Sequence, residues 1–226
     1  MSAIPEAAVR FDVQLDPNVL INYRTGRPIE YRPAEIGPGA RIRANTIIYS
    51  NVRIGAGLET GHNVVIREEN QIGERFRIWN NSVVDYGCVI GHNVRVHCNV
   101  YIAQFTVIED DVFLAPGVII ANDLHPICTV DMRGPTIKRR ARISCNVTLL
   151  PEIAIGESAL IGSGAVVVAD VPDRAVVVGN PGRVICSVDD LKCRSGRVDA
   201  PYIDGLDVMT REALGLDVTP CQARRN

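Results

Sequence analysis

Residues 36–59 read Ile-Gly-Pro-Gly-Ala-Arg-Ile-Arg-Ala-Asn-Thr-Ile-Ile-Tyr-Ser-Asn-Val-Arg-Ile-Gly-Ala-Gly-Leu-Glu, with an aliphatic residue at every sixth place: Ile36, Ile42, Ile48 and Ile54. The same step continues through Thr60, Ile66, Ile72, Ile78, Val84, Ile90, Val96, Ile102, Ile108, Leu114 and Ile120. It breaks there and resumes at Ile137, Ile143, Leu149, Ile155, Ile161 and Val167. Twenty of these 21 places are aliphatic in a chain that is 46% hydrophobic, so composition alone does not produce the column.

A second column stands three places after each anchor. Gly39, Asn45, Asn51, Gly57, Asn63, Asn81, Gly87, Asn93, Asn99, Asp111, Gly117, Asn146, Gly164 and Asp170 fill it in 14 of the 20 complete hexads. Glycine, asparagine and aspartate enter the left-handed backbone region at least cost. The fourth place is often small or apolar, as at Ala40, Val52, Val94 and Ala159, and is expected to fill a corner. Neither a helix nor an amphipathic strand has a period of six. Short strands joined by left-handed corners do, with each hexad forming one face of a triangular prism and three hexads one coil. The expected fold is all-β, a parallel β-helix of about seven coils interrupted by one long loop. Residues 36–185 form the coil domain, with the loop at 121–136. Residues 1–35 cap the first coil, whose strand edges would otherwise be open, and 186–226 form a mostly irregular extension.

The 226 residues carry a net charge of −2, and no basic excess points to nucleic acid. No apolar run is long enough for a membrane span, and the opening Met-Ser-Ala-Ile-Pro-Glu lacks a signal-peptide layout. The seven cysteines are odd in number and form no Cys-x-x-Cys pair, which argues against a disulfide framework and a thiolate zinc site. A reduced, cytoplasmic protein is expected.

The excursion at 121–136 leaves a rigid scaffold and returns in register, and such loops often carry function. His125 lies in it and titrates near neutral pH, so it is the candidate general base. Asn122 and Asp123 precede it; Asp123 is a catalytic candidate that would orient the imidazole or bind an acceptor amine as an ammonium ion, Asn122 is a candidate for substrate contact, and the rival reading is an Asx turn that starts the loop. Cys128, three residues on, offers covalent transfer as a rival.

The pairs Ile36-Gly37, Ile54-Gly55, Ile72-Gly73, Ile90-Gly91, Ile155-Gly156 and Ile161-Gly162 resemble the hexapeptide-repeat acyltransferases, over about residues 36–185. Residues 118–126 and 135–172 resemble the branch that acetylates amino groups of nucleotide-linked deoxysugars. The exit through Gly179, Asn180, Pro181, Gly182 and Arg183 resembles the family's departure from the coil. The resemblance implies a left-handed coil, an exception to the usual right-handed crossover. It also implies a homotrimer with sites between neighbouring prisms, acetyl-CoA as co-substrate, a nucleotide-sugar acceptor and no metal. Direct transfer needs a deprotonated amine, a polarised thioester carbonyl and in-line placement.

On that footing Asn99 aligns with an asparagine near the reacting amine, although it also belongs to the corner column. His97 and Gln104 lie close to it in sequence and are candidate acceptor contacts. Ser163, Gly164 and Ala165 are candidates for the pantetheine arm, and Lys138 and Arg183 for the phosphates of CoA. The pair His125-Pro126 resembles the catalytic histidine of related O-acetyltransferases, which keeps a hydroxyl acceptor as the alternative. The same fold hosts γ-class carbonic anhydrases. His92 and His97 stand in the places of two of their zinc ligands, but the third place is Ala56, which cannot bind zinc. A trimeric scaffold without activity is the remaining rival.

Overall fold

A computed structural model describes residues 12–127, 130–192 and 202. The chain is a left-handed parallel β-solenoid of about eight coils. Its two-residue strands stack into three flat sheets. Face 1 has seven strands, from Glu35–Ile36 to Ala154–Ile155. Face 2 has ten, from Gln14–Leu15 to Arg183–Ser187, and face 3 has eight, from Leu20–Tyr23 to Val166–Val167. Parallel partners stand 18 residues apart, as Arg77 and Arg95 or Val83 and Tyr101 do, so three hexads do close one coil. The coil count exceeds seven because Gln14–Leu15 and Leu20–Tyr23, upstream of the first hexad, pair in register with Arg41–Ile42 and Ile47–Tyr49.

All 21 anchors are buried, from Ile36 to Val167. The corner fillers Ala40, Val52, Val94 and Ala159 are buried as well. Thr60, the one polar anchor, is fully buried and satisfied: its hydroxyl accepts from Arg43 N at 2.9 Å and lies 3.4 Å from Thr46 Oγ1.

The corner column adopts positive φ throughout, with Asp170 the sole exception among the complete hexads. Glu69, Arg75, Phe105, Arg140, Glu152 and Ser158 are also left-handed there, residues that do not favour that region. The strain costs about 1–2 kcal/mol each. Each hexad buries an anchor, worth about 1.5–3 kcal/mol when aliphatic, and usually a corner filler that adds to it. Coil closure therefore outweighs local preference.

The excursion leaves face 3 after Ile119–Ile120 and returns at Thr136–Ile137 on face 1. Val107 pairs with Thr136, 29 residues away instead of 18, so it adds eleven residues to one coil. At the far end the strands Ala175–Val178 and Arg183–Ser187 pair antiparallel and finish face 2. One 3-10 turn, Val188–Asp190, follows; most of the extension expected over 186–226 falls outside the described residues. Among the described residues no helix is long and apolar enough to cross a membrane. The described cysteines Cys88, Cys98, Cys145 and Cys186 are free; Cys128 lies outside the described residues.

Candidate active site

Two excursions leave the solenoid at the same edge, where face 3 turns into face 1. One follows Leu20–Tyr23 and returns at Glu35–Ile36; the other holds Asn122, Asp123 and His125. Between them the first two places of each corner carry different side chains on successive coils: Tyr49 and Ser50, Arg67 and Glu68, Asp85 and Tyr86, Ala103 and Gln104, Ala121 and Asn122. Arg67, Glu68, Asp85, Tyr86, Gln104 and Asn122 among them form one network.

At its N-terminal end the Glu68 side chain is fully buried and meets Arg67 through two bonds, Nη2 at 2.9 Å and Nε at 3.2 Å. Thr25 Oγ1 donates to it at 2.9 Å and Arg27 Nη1 at 3.3 Å. Burial by itself would raise the Glu68 carboxyl, but a backbone hydrogen bond, Thr25 and Arg67 hold it below its ordinary value. Arg27 also reaches Glu69 at 2.5 Å and stacks 4.0 Å from the Tyr86 ring, which pins the first excursion to the edge.

Asp85 is the hub. Its Oδ1 accepts from Arg67 Nη1 at 2.8 Å and Tyr86 N at 2.9 Å. Its Oδ2 accepts from Tyr101 OH and Gln104 Nε2, both at 2.8 Å. Burial, and then the Asp85 carboxylate, push the Tyr101 phenol well above its usual range, so it remains a donor. Gln104 Oε1 in turn accepts from Asn122 Nδ2 at 2.8 Å. The second excursion is closed by Arg133 N donating to Asn122 O at 2.8 Å. Gly134 permits that return, because a Cβ there would lie 2.5 Å from Thr106 N.

The structure thus brings Gln104 and Asn122 into contact and places Asp123 and His125 on the same edge. Asp123 Oδ1 accepts from His125 N at 2.8 Å, the Asx-type turn considered from the sequence. His125 is exposed, as are the neighbouring apolar side chains Leu124 and Ile127.

His97 and Asn99 stand on another edge, between faces 2 and 3. The His97 ring packs edge-on to Phe113 with centroids 5.7 Å apart. Asn99 is left-handed and ends an amide ladder: Asn45 donates to Asn63 at 3.1 Å, Asn63 to Asn81 at 3.0 Å, and Asn81 to Asn99 at 3.4 Å. His92 sits on the edge between faces 1 and 2, where its Nδ1 accepts from Glu74 N at 3.1 Å.

Ser163 and Gly164 are exposed on the edge between faces 2 and 3, and a Cβ on Gly164 would meet nothing within 4 Å. Ala165 is buried, its N donating to Gly162 O at 3.2 Å and its O accepting from Thr148 N at 2.9 Å. The exit turn hydrogen-bonds Val166 from both Gly179 and Gly182, which brings Arg183 to this end of the coil. Lys138 lies on the edge between faces 1 and 2, with Nζ 3.5 Å from Asp173 Oδ1, apart from Ser163 within one chain.

Arg67, Glu68, Asp85 and Tyr101 escaped the sequence reading. Stepping by 18 along the first two corner places, from Tyr49 and Ser50, is the signal that collects all of them except Tyr101. That residue faces outward from its strand.

No protein-family profile matches the chain. It is similar to hexapeptide-repeat acetyltransferases. A serine acetyltransferase of Bacillus pumilus is 49% identical over 86 residues, covering 38% of each chain. The galactoside O-acetyltransferase of Escherichia coli is 32% identical over 97 residues, 39% of this chain and 48% of that one. The matches therefore span less than half the length of these relatives. A crystal structure of a Bacillus cereus protein named for acetyltransferase activity shares the fold. Its TM-score is 0.54 at 21% identity, over 83% of this chain and 95% of that one.

Proposed function

We propose that this chain transfers an acetyl group from acetyl-CoA to an amino group of a nucleotide-linked amino deoxysugar, with residues 36–185 carrying the catalytic machinery. The carrying observation is the edge shared by both excursions. There Glu30, Glu68, Glu69, Asp85, Asp123 and Asp131 stand against Arg24, Arg27, Arg32, Arg67 and Arg133, and an edge with a net negative charge suits an ammonium group. The resemblance of residues 118–126 and 135–172 to the sugar-amine branch supports the acceptor class. Similarity to the serine and galactoside acetyltransferases supports the acetyl-transfer half.

In this reading His125 takes the proton from the amine. The nitrogen attacks the thioester carbonyl, the C–N bond forms, the C–S bond breaks, and the thiolate of CoA leaves with a proton returned by the imidazole. Asn122 and Gln104 contact the acceptor, Asp123 holds the His125 backbone, and His97 and Asn99 reach the site from a neighbouring prism. The open corner at Ser163 and Gly164 takes the pantetheine arm, and Arg183 and Lys138 take the phosphates, Lys138 from a second copy. A homotrimer is part of this proposal; Leu20, Val89 and Ile119 are apolar side chains exposed on the flat faces and suit burial between copies.

Calorimetric titration of acetyl-CoA tests the reading: one site per chain is expected, followed by thiol release with UDP- or dTDP-linked amino sugars. Absence of saturable binding overturns it. A hydroxyl acceptor is the second reading, favoured by the substrates that the serine and galactoside relatives' names state. Hydroxylamine separates the two, because it cleaves an O-acetyl ester and leaves an N-acetyl amide intact.

A further inference from the structure

The network at the shared edge has a direction. An ionised carboxylate accepts hydrogen bonds and donates none. Asp85 receives four donors, and its side chain is only 9% exposed, so water does not take their place. Gln104 must therefore turn its NH2 group towards Asp85, and its carbonyl is left for the next residue. That carbonyl lies 2.8 Å from the Asn122 amide, which must answer with its own NH2 group. Each amide passes the orientation on. Asn122 Oδ1 is the end left over, at the root of the excursion that carries His125.

We infer that Asp85 is a positioning residue that, through Gln104, fixes Asn122 with its carbonyl oxygen towards the acceptor, so that the site selects a group bearing N–H or O–H donors. This rests on the acetyl-transfer reading for its functional half only. Tyr101 and Arg67 fill the remaining lone pairs of Asp85 and keep the carboxylate from rotating away. The backbone bond from Arg133 to Asn122 O holds the same residue from the other side. A carboxylate-amide-amide relay of this kind supplies specificity because the wrong orientation would set a carbonyl against a carbonyl or a carboxylate.

Asp85→Asn keeps the shape and removes the direction, since its amide presents either end to Gln104. Two readouts apply. In 15N-labelled protein the side-chain NH2 signals of Gln104 and Asn122 should move in Asp85→Asn, and those of the Asn45, Asn63 and Asn81 ladder should not. With an amino sugar nucleotide that gives thiol release from the wild type, the acceptor KM should rise about tenfold or more while kcat and the KM for acetyl-CoA stay within about threefold. In Gln104→Leu, which leaves the other three bonds of Asp85 in place, the Asn122 NH2 signals should likewise move, so it serves the structural half of the test if Asp85→Asn does not fold. Unmoved Asn122 signals in both variants overturn the relay. Moved signals with a fall in kcat alone overturn the role in acceptor selection. If the wild type turns over no acceptor, the function fails while the amide signals still decide the relay.

Discussion

Two edges of the same prism treat the repeat in opposite ways. Between faces 2 and 3, Asn45, Asn63, Asn81 and Asn99 repeat one residue on successive coils, and each amide bonds the next. Between faces 3 and 1, successive coils present Tyr49 and Ser50, Arg67 and Glu68, Asp85 and Tyr86, Ala103 and Gln104, then Ala121 and Asn122, no pair repeating the one before. The backbone is equivalent at both edges, so the coil requires neither choice. Where a residue recurs every 18 positions, it serves stacking, which every coil needs equally. Where the column changes type, its side chains bond to one another in a single arrangement, and both excursions leave there. Departure from the repeat is therefore the better marker of chemistry.

His125→Ala should break the comparison most sharply. Loss of a general base lowers kcat by roughly 10²–10⁴-fold. The affinity for acetyl-CoA, read by calorimetry, should hardly change. Wild-type kcat in this variant would move proton transfer to the substrate.

Glu68 tests the stability of the heterogeneous edge. Glu68→Gln leaves Arg67 and Arg27 short of a carboxylate and should cost about 2–3 kcal/mol at neutral pH; both arginines keep some access to water, which lowers the full penalty of a broken buried pair. The folded carboxyl sits below its ordinary value of 4.5, so its stabilisation is fully present above that pH and is lost as pH falls through the folded value. Melting temperatures of wild type and variant should stay apart from pH 5 to 7 and converge in stronger acid. A gap that persists unchanged in acid would remove the ion pair from the account.

The repeating edge should respond more weakly. Asn81→Ala places a Cβ-bearing residue without a polar side chain at φ 58° and cuts two ladder bonds, for about 1–2 kcal/mol. Asn81→Gly loses the bonds alone and should cost less. Neither should alter kcat, because Asn81 itself is not placed at the site, and a kcat effect would mean that the ladder orients Asn99 for the reaction.

These contrasts also mark what the sequence makes legible. The six-residue anchors, the corner column and the eleven-residue excursion follow from periods that one sheet geometry imposes everywhere, so they can be counted. The extra first coil is hidden because Leu15 and Ile21 keep the six-residue step but stand 27 residues from their partners Ile42 and Ile48, beyond the 18 of one coil, and Leu15 is exposed. At the candidate site, Asn122, Asp123 and His125 were visible as an interruption. Asp85 and Arg67 were not, because a charged residue at a corner reads as a solvated surface until its neighbours one coil away are known. Asn99 shows the converse: a residue singled out by resemblance also has a complete structural role in the ladder.

Phe105 offers the finest test, since it breaks the corner rule on the chemical edge. It holds φ 61° where glycine or asparagine fits better, and its ring lies over Gly87, where a Cβ would approach it to 2.9 Å. The ring meets Tyr86 edge-on with centroids 5.5 Å apart, yet Phe105 remains 42% exposed. Phe105→Gly relieves about 1 kcal/mol of backbone strain but loses an aromatic pair worth about 0.5–1.5 kcal/mol and the covered half of the ring, about 1 kcal/mol more. The net cost is about 1 kcal/mol, so the melting temperature should fall by only a few degrees. If the exposed ring serves the acceptor, KM for an amino sugar nucleotide should rise about threefold to tenfold, the equivalent of that lost contact. A large drop in melting temperature with KM unchanged would instead make Phe105 a packing residue, and this edge would then hold one structural exception of its own.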